Sequence, residues 1–341
     1  MKGSIEKILG DILIAYAGKR ILITGGQGFI GSSLTSALCN VDCTLVVLDK
    51  AIDFYWLKGK MRAEVIFLNR DITEPQTWLS VLPDVDVIFH LASMEYNRSH
   101  FNVLSDLRVN TLSVLHMLEA CREYGFRPRI IFSSSSNIFG KPERLPVNEN
   151  ERDSPLSLWS VHKLTAEHYL RVYSDQYGIR SITLRLANVY GPTANWEAVK
   201  HVVVNSVIAK ALAGESLKLY SNKHYLRDYI FLEDVVCAFL CAGNIGDTLW
   251  DGRLYIIGSG EGNSIEDVWK LIAKKIEVFT GRRVSVCIDD IPKMEPLDLR
   301  DFIADATAFR EVAGWRPRVS LEKGIEKTIK ALMGFAVDGT A

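Results

Sequence analysis

The run ILITGGQGFIG at 21–31 constrains this chain more than any other feature. An apolar β pattern passes directly into Gly25, Gly26, Gly28 and Gly31 and then into a helical pattern, the context a dinucleotide-binding loop requires. The glycines permit a tight turn and let the backbone approach a pyrophosphate closely. The helix that starts at Phe29 and Ile30 offers unpaired N–H groups and a partial positive charge. Asp49 ends the next β pattern, where a carboxylate accepts hydrogen bonds from an adenine ribose and repels a 2′-phosphate. The bound dinucleotide is therefore expected to be NAD rather than NADP, although Lys50 partly offsets that repulsion.

Further short β-branched runs follow, at CTLVVLD, EVIFLNRD, DVDVIFHLA, PRIIFSSS and SITLRLAN, and helical patterns alternate with them. That alternation predicts an α/β chain with a Rossmann-type doubly wound parallel sheet. After Asn188 the texture changes to shorter segments (LKLYS, RDYIFLEDVV, RLYIIGSG, VSVCIDD) and later helices, which predicts a smaller α/β C-terminal substrate lobe. The expected division is an N-terminal amphipathic helix over 1–18, a dinucleotide-binding domain over 19–187 plus about 228–260, and a substrate lobe over 188–227 plus 261–341. Ile5, Ile8, Leu9, Ile12 and Leu13 form the apolar stripe of that first helix, expected to pack on the domain or on a second subunit.

Composition narrows the function classes. With 341 residues, 48% of them hydrophobic, the chain has material for a large core. Forty Lys and Arg against 41 Asp and Glu leave no net field for nucleic acid or an anionic membrane, so any anionic ligand must be held by local groups. No apolar run is long enough for a membrane span, and no signal-peptide pattern opens the chain. The six cysteines lack CxxC or zinc spacing. Free thiols, no metal site and a cytoplasmic location are expected.

These motifs, together with Asp71-Ile72, HLAS at 90–93, Asn110, FSSSSNIFG at 132–140, Lys163, RLANVYGP at 185–192, LRDYIFLEDV at 226–235 and AGWRPRVSLEKGI at 313–325, carry a family likeness. From about Lys19 onward the chain resembles the extended short-chain dehydrogenase/reductase family, the NAD-dependent epimerases and dehydratases of nucleotide sugars. The resemblance implies that Asp71 and Ile72 contact adenine and that Leu91, Ala92 and Ser93 line the cofactor's phosphates and ribose. It implies that Asn110, Ser133 and Lys163 complete the cofactor bed and that Ala187 approaches the nicotinamide. It further implies a nucleotide-diphosphate sugar between the lobes, with Asn188, Arg227 and Arg300 at the diphosphate, Leu217 and Tyr220 beside the base, and Glu95, Tyr96 and Asn137 toward the sugar. Arginine suits a diphosphate because its guanidinium presents a fixed donor fork. A salt bridge from Arg227 to Asp228 or Glu233 is the competing expectation. Relatives pair two helices, matching 104–122 and 158–177 here, as a four-helix bundle, so a homodimer is implied.

The family's chemistry uses a serine or threonine with a YxxxK helix, in which the lysine lowers the pKa of a phenol that moves the sugar hydroxyl's proton. Ser135 and Lys163 match, but the helix reads WSVHK, with Trp159 at the tyrosine position. Indole N–H is a donor only and cannot shuttle a proton near neutrality. His162 stands where the family usually has a small residue, close to the same helix face, and is a candidate replacement, against the plainer reading of a helix-packing histidine. Glu95, Tyr96 and Tyr190 are further candidates. Asn137 occupies the position of the acidic residue found in dehydratases and decarboxylases, and asparagine cannot act as a base. The expected function is epimerisation through transient oxidation of the sugar ring. A variant dehydratase or decarboxylase, and a non-catalytic binding relative, are the alternatives.

Overall fold

The apolar runs build a seven-stranded parallel sheet, and the computed structural model describes residues 10, 12–51, 55–57, 59–94, 102–195, 202–289 and 294–337. In chain order the first elements are β1 (Arg20–Thr24), α1 (Phe29–Leu38), β2 (Thr44–Asp49), β3 (Glu64–Asn69), α2 (Pro75–Val81) and β4 (Val87–His90). Then come α3 (Val103–Leu107), α4 (Ser113–Tyr124), β5 (Arg129–Ser135), α5 (Leu158–Tyr177) and β6 (Ser181–Leu186). The remainder runs β7 (Asn188–Tyr190), α6 (Val203–Leu212), β8 (Leu217–Leu219), β9 (Leu226–Phe231), α7 (Leu232–Ala242), β10 (Leu254–Ile257), β11 (Gly262–Ser264), α8 (Ile265–Thr280), β12 (Val286–Ile288), α9 (Thr307–Ala313) and α10 (Leu321–Val337).

The sheet order β3-β2-β1-β4-β5-β6-β10 is that of a Rossmann-type doubly wound fold. Strand order reverses between β1 and β4, whose parallel register pairs Thr24 with His90. In such sheets the crevice beyond the strand ends at this switch point is the ligand site. Because side chains alternate faces along a strand, Ile21, Ile23, Val47 and Phe89 pack with α1 and α7, while Leu22, Val46, Ile88 and Phe132 pack with Trp78, Met117 and Leu170 on the other face. Burial on both faces explains why the strands read as continuous apolar runs rather than alternating ones.

A separate core joins Tyr190, Ile208, Leu217, Leu219, Phe231, Trp269 and Ile329 around a three-stranded sheet (β11-β9-β7) and a two-stranded one (β12-β8). Of the stretch from about 228 to 260, β10 joins the main sheet and α7 packs on it, whereas β9 pairs with β7 and β11. Near the C-terminus, Phe309 and Trp315 pack into the main core although they lie in the stretch expected to belong to the substrate lobe. At the other end Ile12 and Leu13 pack on the main core, and buried Tyr16 donates to the Leu240 carbonyl at 2.7 Å. Ile5, Ile8 and Leu9 lie outside the described residues. No helix among the described residues is long and apolar enough to cross a membrane.

Candidate active site

Gly25 adopts a left-handed φ of +68° where β1 turns into α1, and a Cβ there would stand 2.7 Å from the Ala92 nitrogen. The turn thus lies directly on the segment that follows β4. A Cβ on Gly31 would overlap the Gly25 carbonyl. Both positions need glycine for space, and Gly25 needs it also for conformation. Gly28, Phe29, Ile30 and Gly31 line a cleft of about 320 Å³ with Leu91, Ser93, Ser133, Ser134, Trp159, Lys163 and Val202. Asp49 accepts from the Gln27 backbone N–H at 3.0 Å, so the acidic strand end is tied to the glycine turn. Lys50 pairs with Asp71 at 2.7 Å, which directs its charge to that carboxylate. The backbone of the loop, the helix N-terminus and the placed carboxylate fit a dinucleotide with free ribose hydroxyls. Gly31→Ala is expected to yield folded protein with less than a tenth of the wild-type NAD per subunit, measured on small molecules released by denaturation.

Lys163 lies one turn beyond Trp159 on α5. Its amine is buried, donates to the Ser133 carbonyl at 3.0 Å, and sits 4.7 Å from the Phe132 ring centroid and 5.8 Å from that of Trp159. Burial lowers its pKa to about 8, against the opposing charges of Glu167 and Asp106. It is the one titratable side chain among the described residues that line the cleft. Trp159 donates from its indole N–H to the Met94 carbonyl at 2.8 Å. Ser135, at the end of β5, accepts from the Asn137 N–H at 3.1 Å and caps the single turn Ser136–Phe139.

His162 is placed otherwise than a sugar-facing acid/base requires. Its ring is buried and its Nδ1 lies 2.8 Å from Asp106, a carboxylate with no exposed surface on the facing α3. It is not among the cleft-lining residues. Tyr190 is likewise withdrawn: it is fully buried in the second core, edge-on to Phe231, and donates to the Leu321 carbonyl at 3.2 Å. Burial raises its pKa well above the ordinary phenol value. Glu95 and Tyr96 lie outside the described residues.

The expected phosphate arginines both donate to acceptors of the fold. Arg300 is 4% exposed and donates to the carbonyls of Ser136 and Gly140 and to the Asn137 side chain, at 3.2, 2.7 and 2.8 Å. It is thus a strut under the β5 turn, and it fixes the Asn137 amide. Arg227 donates to the carbonyls of Leu226, Asp298 and Arg300 rather than to Asp228 or Glu233. Asp228 is occupied by Ser259, Gly260 and Ala304, and Glu233 pairs with Lys327. Burial depresses the Arg227 pKa. Asn188 donates to the Asp228 carbonyl at 3.2 Å.

Leu217 is buried in β8, whereas Tyr220 lines a separate cleft with Val203, Lys210 and Trp269. The Asp71 carboxylate caps Thr73, Ile72 is buried with its carbonyl accepting from Trp78, and Ala187 is buried at the end of β6.

Two residues escaped the sequence reading. Asp106 stands four residues before Asn110, so the two share a helix face; that spacing was the available signal. Asn110 lies in a π-helical stretch, Arg108–Leu112, a distortion frequent at functional sites. Glu167, four residues after Lys163, is buried against Arg185 and accepts from Ser134.

Residues 21–258 match the family model described as the NAD dependent epimerase/dehydratase family. The chain is 32% identical over 322 residues to a UDP-glucose 4-epimerase of Mycolicibacterium smegmatis, covering 91% of this chain and 97% of the relative. It is 30% identical to UDP-glucuronic acid decarboxylase 1 of Xenopus tropicalis, over 91% of this chain and 71% of that one. The crystal structure of a Thermus thermophilus UDP-glucose 4-epimerase in complex with NAD superposes with a TM-score of 0.79 at 29% identity, covering 92% of this chain and 99% of the other.

Proposed function

The chain belongs to the NAD dependent epimerase/dehydratase family, and from that premise we propose that it epimerises a UDP-hexose at a ring carbon, with Lys163 rather than a tyrosine moving the hydroxyl proton. The observation that carries this reading is the cleft: the glycine turn, Ser133 and Lys163 meet in one place, and Lys163 is its titratable group among the described residues.

NAD, the family's cofactor, supplies a hydride acceptor and donor when bound, so the net reaction is redox-neutral. The chain's own residues divide the rest. Gly25, Gly28 and Gly31 admit the pyrophosphate, and Asp49 faces the adenine ribose. Neutral Lys163 takes the proton from the sugar hydroxyl and, protonated, returns it; burial favours the neutral amine near pH 8. Ser135 orients the hydroxyl. Arg227 and Asn188 hold the diphosphate, and what supports this is that no described carboxylate pairs with the Arg227 guanidinium. Tyr220 lies beside the base.

The similarity to a decarboxylase raises that reaction as an alternative. Asn137 argues against it, because its amide is not a base and its carbonyl oxygen is held by Arg300. In the same reading the main sheet with its helices is the cofactor lobe and the second core is the substrate lobe. The protein works as a cytoplasmic homodimer; Leu104 on α3 and Leu158, Val161 and Val172 on α5 leave apolar surface exposed, and the six cysteines are free thiols.

Mixing the NAD-loaded protein with UDP-glucose tests the proposal. A transient rise in reduced-nicotinamide absorbance and the appearance of the 4-epimer are expected. Tight UDP-sugar binding with neither signal, across a panel of UDP-hexoses, overturns it in favour of a binding protein.

A further inference from the structure

The two departures on α5, Trp159 and His162, stand three residues apart in the sequence. In the structure they lead to one another. Trp159 donates from Nε1 to the Met94 carbonyl at 2.8 Å. The Met94 N–H and the Ser93 hydroxyl both donate to the Asn110 side-chain oxygen, at 3.3 and 2.8 Å. Asn110 donates from its amide nitrogen to one oxygen of Asp106. The other oxygen of Asp106 accepts from His162 Nδ1 at 2.8 Å. His162 is on the same helix as Trp159, so the path closes through the α5 backbone. Asp106 and Asn110 are fully buried, and the Thr111 hydroxyl donates to the His162 carbonyl at 2.9 Å, pinning the two helices beside the path.

We propose that Trp159 and His162 are positioning residues, the two ends of one hydrogen-bonded circuit with a buried Asp106–Asn110 centre that fixes the Ser93–Met94 backbone against the cofactor cleft. The cofactor part of this inference rests on the reading that the cleft holds NAD. Its physical basis is proximity: Gly25 touches the Ala92 backbone, and Leu91 and Ser93 line the cleft, so a shift of this segment deforms the glycine turn's far wall. A buried polar network is stable only when every member is satisfied. Indole gives the Met94 carbonyl a donor from α5 beside the Ser93 hydroxyl, which lies 3.1 Å from the same oxygen, and imidazole gives one to the buried Asp106. The departures from YxxxK thus trade a proton carrier for a clamp.

Two readouts test the circuit: the NAD dissociation rate, and hydrogen exchange of the 91–94 backbone compared in NAD-free protein, so that loss of the cofactor does not enter the second. Trp159→Phe keeps a ring but loses the donor; it is expected to raise the dissociation rate about fivefold to tenfold, the scale of one lost hydrogen bond. Asp106→Ala is expected to raise it at least as much. Asp106→Asn still accepts from Asn110 and donates to the imidazole, so it restores the rate to within about twofold of wild type. Joining Trp159→Phe to Asp106→Ala adds less than about twofold, because the circuit is already open. Exchange at Met94 rises in each broken variant. Wild-type release and exchange in Trp159→Phe and Asp106→Ala overturn the inference, as do effects that multiply in the double variant. If the wild type proves to bind no NAD, the functional reading fails by itself, and exchange at Met94 still decides whether the circuit clamps the segment.

Discussion

Lys163→Met is expected to lower UDP-glucose turnover by about 10²- to 10⁴-fold, the range of a lost general acid–base group, in a protein that stays folded. Methionine fills the same buried slot between Phe132 and Trp159 and gives up the amine's bond to the Ser133 carbonyl together with its charge against the two rings, Glu167 and Asp106. Lys163→Arg distinguishes charge from proton transfer, because a guanidinium keeps its proton throughout the accessible range. It is expected to be as inactive as Lys163→Met. The pH profile supplies the third check. Burial holds the amine at about 8, and the proton-accepting form is the neutral one, so kcat/KM should rise as pH climbs through that value. Stability should move the same way. Between about 8 and the ordinary lysine value of 10.5 the unfolded lysine holds a proton that the folded one has lost, so unfolding takes up a proton and stability increases with pH across that window. Turnover of Lys163→Met within threefold of wild type would place the proton carrier on another residue.

The parts of this site that depend on local pattern were legible in the sequence. The glycine loop, the strand runs and Asp49 follow from spacing, because a turn against a pyrophosphate and a strand buried on both faces each restrict residue type within a few positions. What was not legible depends on partners distant in the chain. The sequence presents His162 as an exchangeable imidazole, and only the fold brings Asp106 to it, 56 residues away. Arg300 and Arg227 read alike as basic residues. Each guanidinium donates to three acceptors of the fold, Arg300 to Ser136, Gly140 and Asn137 and Arg227 to Leu226, Asp298 and Arg300, and no local pattern shows which acceptors will surround it. Tyr190 was misplaced for a related reason: its motif sits beside the site, but β7 turns its ring into the second core. The departure of β9 from the main sheet had no local cue, since RDYIF has the same β-branched and aromatic character as the strands that remain.

Glu167→Ala is expected to cost the fold about 3 kcal/mol, the lower part of the range for stripping one partner from a buried ion pair. Arg185 is 1% exposed and gives Nε and Nη2 to Glu167, the latter at 2.6 Å, while Nη1 reaches Asp153 at 2.5 Å. Removal of Glu167 leaves two guanidinium donors and the Ser134 hydroxyl buried without it, and the surviving contact to Asp153 keeps the loss from being larger. Urea unfolding measures this directly, as a lower midpoint at unchanged slope. Replacing both members together, Arg185→Met with Glu167→Leu, should cost much less than Glu167→Ala, because no buried charge is then left unpaired. The same substitution reaches the chemistry. Of the two carboxylates whose charge opposes the effect of burial on Lys163, Glu167 acts more strongly than Asp106, so its loss should move the kcat/KM profile to lower pH. A Glu167→Ala protein that unfolds at the wild-type urea midpoint would show that Arg185 finds its stability elsewhere. An unshifted pH profile in a destabilised protein would separate the ion pair from the amine and leave burial alone to account for the pKa of Lys163.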